Sequence, residues 1–243
     1  MYIISYDIAS KSLAVSILHF NDNWKTDFQK IKKEYKGSTN YSELLINIIK
    51  YLDKINDLLD NIIKPIFMDV VDLIPNEKVK DVNLVKRTAR LAGYLNTIDK
   101  YIEKNIPDNE SKKVLLEYQM SANDKSRNAC SQILYHYSNI CCNFKSYNCI
   151  EEIKSKSNYD IELVGASLKN KMDFVKDKTH ADLVKKYVKS YDANKNHSKC
   201  NFLYWCSLFK HTEMIKNIKK KNLDDIADSV NMTIAWLFKQ KLI

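Results

Sequence analysis

The stretch YIISYDIASKSLAVSILHF, residues 2–20, decides how the rest of the chain is read. Tyr2 to Ile8 is rich in β-branched and aromatic residues and reads as a buried strand. Ala9 to Ser12 reads as a turn, and Leu13 to Phe20 as a second apolar run, so the two make a hairpin. Asp7 interrupts the first run close to the hairpin tip. An acid inside an apolar strand costs desolvation unless something charged or hydrogen-bonding meets it.

Further along, Leu44, Leu45, Ile48, Ile49, Leu52, Ile55, Leu58, Leu59, Ile62 and Ile63 recur at spacings of three and four, which predicts an amphipathic helix over 41–64 stopped by Pro65. Residues 66–74 (IFMDVVDLI) read as a third strand, 85–104 as a helix, 114–117 (VLLE) as a short buried strand and 126–142 as a helix. A strand at 160–164, a helix at 179–191 and a final helix at 223–239 complete the series. This is an α/β order. With no internal repeat and no Pro/Gly-rich linker, residues 1–243 are expected to form one domain.

Composition excludes several classes of function. The three glycines, Gly37, Gly93 and Gly165, cannot assemble either glycine-rich phosphate motif, so no nucleotide cofactor is expected. No apolar run reaches the roughly 18–20 residues of a membrane span, and Asp7 and Lys11 break up any signal peptide. Of 39 basic residues, only Arg87, Arg90 and Arg127 are arginine. The charge is unevenly spread: residues 1–75 hold 9 basic and 10 acidic side chains, residues 112–221 hold 21 and 11. The second segment suits a polyanion such as nucleic acid, although a lysine-rich solvated surface has the same composition. The six cysteines form no CxxC pair, so reduced thiols and an intracellular setting are expected. His197, Cys200, Cys206 and His211 are of a type that zinc accepts, but their spacings match no familiar ligand pairing, and the residues between them read as a packed segment.

Four carboxylates stand in apolar surroundings. Besides Asp7, Glu117 follows three aliphatic residues, and Asp225 and Asp228 lie one helical turn apart at the start of the last helix, beside Asp224. Side chains three apart share a helix face. Such a pair can hold one hard cation, and acids from two strand ends could complete a site for two. Oxygen-only ligands favour Mg²⁺, with Mn²⁺ a ready substitute, and point to phosphodiester hydrolysis. Clustered carboxylates without a cation are costly through desolvation and mutual repulsion. Ordinary roles are open too: Asp224 and Asp225 as helix-terminus residues, Asp7 in a turn, Glu117 paired with a lysine.

Three stretches, SYDIASKSLAVSIL (5–18), VLLEYQ (114–119) and LDDIADSVNMTIAW (223–236), resemble the poxvirus-type Holliday junction resolvases, viral relatives of bacterial RuvC. The resemblance implies an RNase H-like fold: a five-stranded mixed sheet flanked by helices, here with a helical insertion between the second and third strands at about 21–65. It matches Asp7 to the first-strand acid, Glu117 to the acid after the aliphatic strand, and Asp225 and Asp228 to the helix pair, with Asp224 a possible further ligand. It implies a homodimeric, Mg²⁺-dependent endonuclease that nicks four-way DNA junctions symmetrically and serves viral recombination or concatemer resolution. The setting would then be the host cytoplasm or a viral replication site. Lys178 resembles a basic position that faces DNA. The tract 193–221 has no counterpart in the family pattern.

Lys185, within the lysines of 169–189, and Lys219, Lys220 and Lys221 are expected to hold phosphates beside the cleft. Tyr118, Tyr135, Tyr137 and Tyr147 could stack on unpaired bases or pack in the protein. On family grounds the helix 126–142 is a candidate dimer face, while packing on the sheet serves its pattern equally well. Rival readings are an RNase H-like ribonuclease, a flap nuclease, or a catalytically silent DNA-binding protein on the same fold.

Overall fold

A computed structural model describes residues 1–21, 63–75, 78, 81, 83–118, 124–141, 158–168, 193–208, 211–216 and 218–240. Residues 22–62 of the expected insertion, the expected helix 179–191, Lys178, Lys185 and Tyr147 lie outside the described residues.

Strands β1 (Tyr2–Ile8), β2 (Ser12–Phe20), β3 (Ile63–Asp72), β4 (Lys112–Tyr118) and β5 (Tyr159–Gly165) form one sheet in the order β3-β2-β1-β4-β5. β1 runs antiparallel to β2, β2 antiparallel to β3, and β1, β4 and β5 run parallel, so the sheet is mixed and has the arrangement that the resemblance implies. Helix α1 (Leu84–Asn105) and α2 (Asp124–Cys141) cover one face. On the other lie α3 (Ala193–Leu208), the short α4 (Thr212–Lys216) and, after a 3₁₀ turn at Lys220–Asn222, α5 (Leu223–Lys239). β1 and β2 are buried on both faces, which is why they read as near-continuous apolar runs rather than alternating ones.

Alternation assigns each strand residue to a face. Ile4, Tyr6, Ile8, Val114 and Leu116 meet Leu91, Leu95, Ile98 and Ile102 of α1 and Ala129, Ile133 and Tyr137 of α2. Ile3, Ala14, Leu18 and Leu115 meet Ile226, Ala227, Val230 and Ile234 of α5, with Phe202 and Trp205 of α3 behind. Ser5, on this second face, is buried and shares a hydrogen bond with Thr233 of α5. α1 begins where Asn83 accepts the Lys86 amide at 3.2 Å, an N-cap, and Pro107 follows its end.

Several expectations shift. Ile63 and Lys64 belong to β3, not to the end of a helix, and Pro65 sits inside this edge strand. The register slips there between Ile17 and Leu18, which face Phe67 and Pro65, so the residue that cannot donate stands at a bulge. β4 begins two residues earlier than its aliphatic core. Its two lysines are buried because each ammonium is satisfied. Lys112 Nζ donates to the carbonyls of Pro107 (3.1 Å), Asp108 (3.4 Å) and Glu110 (3.1 Å). Lys113 Nζ lies 2.7 Å from Asp160 and 2.9 Å from Glu162. The segment between His197 and His211, read as packed, belongs through Leu208 to the helix Ala193–Leu208, whose Phe202, Leu203, Trp205 and Cys206 are buried. Ala129 and Ile133 of α2 are buried against the sheet, with Leu134 and Ile140 partly buried beside them. Tyr137 is fully buried with its hydroxyl 2.5 Å from that of Tyr6, which removes it as a base-stacking platform; Tyr118 and Tyr135 are exposed.

Glu162 ties the far end of α5 to the edge of the sheet: it accepts Trp236 Nε1 at 2.8 Å and lies within 3.9 Å of Lys239 as well as beside Lys113. Burial pushes the Glu162 carboxyl up, but hydrogen bonds from Lys113 and Trp236 and the two lysine charges outweigh it and hold the pKa below its ordinary 4.5. Its stabilisation is therefore present above 4.5 and lost as pH falls through the lower folded value. Lys113 is lowered by burial and raised by more through Asp160 and Glu162, so its share is whole below its ordinary 10.5 and lost only in stronger alkali. Glu162→Gln is expected to melt below wild type at neutral pH, with the gap closing as pH drops below the ordinary carboxylate value. Melting curves across pH check this; a gap that does not change with pH contradicts it.

Candidate functional site

Four sequence-selected carboxylates come from three elements at one end of the sheet. Tyr6 of β1 registers with Leu116 of β4, so Asp7 and Glu117 are the next residues along two adjacent parallel strands. Asp7 has the parity of Ile3 and Ser5, and Glu117 that of Leu115, so both belong to the face that α5 covers. Asp7 is 7% exposed and Glu117 1% exposed, so both are largely removed from water. Two carboxylates held so near each other in a dry setting repel and need compensating charge or donors.

Asp225 and Asp228 stand in the first turns of α5, which packs across β1 and β2. The helix lies there because Leu223, Ile226, Ala227 and Val230 form its buried stripe, and the acids flank that stripe half-buried. Asp225 Oδ2 accepts Ser12 Oγ at 2.8 Å. Ser12 opens β2, two residues before Ala14, the residue registered with Asp7. Asp228 Oδ1 accepts the hydroxyl of Ser198 from α3. Asp224 pairs with Lys199 Nζ at 3.1 Å, so this acid binds a neighbouring helix. The positive end of the α5 dipole further offsets the negative charge of its first turn.

The donor set is oxygen only, which fits a hard divalent cation. Cys130 does not add sulfur to it: its Sγ donates to the Glu117 carbonyl at 3.7 Å, and burial followed by the Glu117 charge pushes its thiol pKa up. In spacing the fit is incomplete. Among the described residues, no three His, Cys, Asp or Glu side chains lie close enough together to hold a metal ion. Cys200, Cys206 and His211 form no such group with one another either; the side chain of His197 is outside the described residues. Cys206 lies in an apolar setting that pushes its thiol up to about 12, so it stays protonated rather than becoming a thiolate ligand. Of the three expected phosphate-binding lysines just before α5, Lys219 and Lys221 are exposed; the Lys220 side chain is not described.

Sequence reasoning missed the residues that hold these acids. Ser12, Ser198 and Lys199 have no signature of their own, since serine and lysine are common throughout. Arg87 did carry a signal as one of three arginines in a lysine-dominated chain. It is fully buried beneath this end of the sheet, donating Nη1 to the Lys125 carbonyl at 2.7 Å and Nη2 to the Ala9 carbonyl at 3.2 Å.

No curated protein sequence matches the chain significantly. Among solved structures, the fowlpox virus Holliday junction resolvase is similar with 20% identity and a TM-score of 0.46, over 99% of each chain. The fowlpox virus resolvase in complex with substrate Holliday junction DNA gives 17% identity and 0.47, again over 99% of each. Thermus thermophilus RuvC gives 10% identity and 0.44, over 97% of this chain and 94% of that one. Over residues 172–240, a span that carries α3 and the acidic start of α5, the sequence matches the family described as Poxvirus A22 protein.

Proposed function

We propose that this chain is a Mg²⁺-dependent endonuclease that nicks four-way DNA junctions, working as a homodimer, with Asp7, Glu117, Asp225 and Asp228 as the cation-holding carboxylates. The observation that carries this reading is the placement of buried Asp7 and Glu117 on one face of two parallel strand ends, at the end of the sheet that the acidic first turns of α5 cover. The match of the same helix to the Poxvirus A22 family supports it. When bound, a divalent cation supplies Lewis-acid stabilisation of the charge developing on a scissile phosphate and lowers the pKa of the attacking water.

The chain's own groups do the positioning. Lys219 and Lys221 stand exposed at the approach to the acidic helix, where a phosphate backbone can be held without reading sequence. Lys178 and Lys185 are proposed for the same task. Two copies related by a twofold axis present two sites to opposite strands, which accounts for symmetric nicking and for selection by junction shape. Replacing Lys219, Lys220 and Lys221 by alanine is expected to weaken junction binding and flatten the plot of log affinity against log salt by up to about 0.9 per lost phosphate contact. A slope equal to wild type's takes this run off the DNA surface.

One observation favours a second reading, a catalytically silent DNA-binding protein: no three candidate ligands among the described residues lie close enough together to hold an ion. Incubating a labelled four-way junction with the protein, with and without Mg²⁺, and mapping nicks on every strand separates the two. Paired Mg²⁺-dependent nicks on opposing strands support the resolvase; binding without nicks supports the silent protein. An RNA–DNA hybrid and a flap substrate run alongside, and preferential cutting of either replaces the junction as substrate.

A further inference from the structure

Helix α3 touches the candidate site directly, and the tract 193–221, expected to have no counterpart in the family, lies inside the span that matches the Poxvirus A22 family. Ser198 of α3 is 3% exposed and gives its hydroxyl proton to Asp228 Oδ1. The same Oγ accepts Asn231 Nδ2 at 2.9 Å, and Asn231 Nδ2 also reaches the Ser198 carbonyl at 2.8 Å. A carbonyl can only accept, so it fixes which end of the Asn231 amide faces Ser198. A hydroxyl has a single proton, and with Asn231 donating to its oxygen that proton is committed to Asp228. Asn231 lies one turn beyond Asp228 on α5 and is fully buried, so the relay is held by the helix's own packing. Next to it, Lys199 holds Asp224 at 3.1 Å.

We infer that Ser198, oriented by Asn231, is a positioning residue that fixes the rotation of the Asp228 carboxylate for a divalent cation, and that α3 belongs to the site. This rests on the cation-dependent reading above. Hydrogen bonds from surrounding groups orient metal-binding side chains, and losing one typically costs tenfold to a hundredfold in metal affinity. Ser198→Ala removes the proton donor, and Ser198→Thr restores it.

The test measures the Mn²⁺ concentration giving half-maximal thermal stabilisation, alongside the melting temperature without metal. Ser198→Ala is expected to need tenfold or more Mn²⁺, and Ser198→Thr to stay within about threefold of wild type. A helix-packing role alone would lower the metal-free melting temperature and leave the Mn²⁺ midpoint in place, which overturns the inference. If Ser198→Ala does not fold, Ser198→Cys, close in size and a poor donor, is judged by the same midpoint. A wild-type protein that Mn²⁺ neither stabilises nor activates sinks the cation reading and this role with it, whereas a responsive wild type with an unshifted variant sinks this role alone.

Discussion

Asp225→Asn or Asp228→Asn is expected to abolish cation-dependent nicking, by about a thousandfold or more, while junction binding stays close to wild type. Each change keeps shape and volume but removes one negative oxygen from a set whose chemistry depends on holding a divalent charge. Losing several kcal/mol of transition-state stabilisation corresponds to a rate loss of this size. Binding survives because the proposed phosphate contacts come from lysines, and removing negative charge near DNA does not oppose them. The amide retains an oxygen that can still accept from Ser12 or Ser198, so the fold around the helix start is retained. Single-turnover cleavage and a gel-shift titration on one junction read the two effects separately. Undiminished cutting by both variants defeats the metal assignment.

Arg87→Ala is expected to give the largest loss of stability, about 3–5 kcal/mol, seen as a fall in melting temperature on the order of 10 °C. The guanidinium is fully buried and bridges two carbonyls from different elements, Ala9 just after β1 and Lys125 in the first turn of α2. Its removal leaves both carbonyls without these donors and opens a void the length of the side chain. Arg87→Lys recovers only part of the loss, since a single ammonium lacks the planar fork that spans the two oxygens. Ala9 lies two residues after Asp7, so the same variant should also loosen the strand end that carries the first acid. A melting temperature within about 2 °C of wild type contradicts this account.

Most strands and helices, and the acids set among their apolar residues, could be read from sequence because each rests on a local pattern, whereas the mixed five-stranded sheet is implied by the resemblance. Asp7 is conspicuous inside an apolar run, and Asp225 and Asp228 flank a stripe of apolar residues spaced at three and four. Lys112 and Lys113 could not be read as buried strand, because a lysine's burial depends on carbonyls and carboxylates that only the folded chain brings to it. Pro65 misled for a related reason: as a helix stop it is a local signal, but an edge strand with a register slip tolerates it equally. Ser12 and Ser198 are the extreme case, 213 and 30 residues from the acids they hold, with nothing in their own neighbourhoods to mark them. The acids come from β1, β4 and α5, so each could be picked out in its own neighbourhood while the spacing between them could not.

The Ser5–Thr233 hydrogen bond joins positions 228 residues apart in the chain. Synthesis proceeds from the N-terminus at roughly 5–20 residues per second, so the β1–β2 hairpin waits some ten to fifty seconds for α5 to be made. During that interval Asp7 and the apolar row around it have no lid, and the face that later closes is exposed to whatever else the cell offers. A chaperone that shelters this hairpin, or a partner strand that adds to it, therefore has its opportunity before the last helix is made, and the acidic end of this face is among the last features of the molecule to mature.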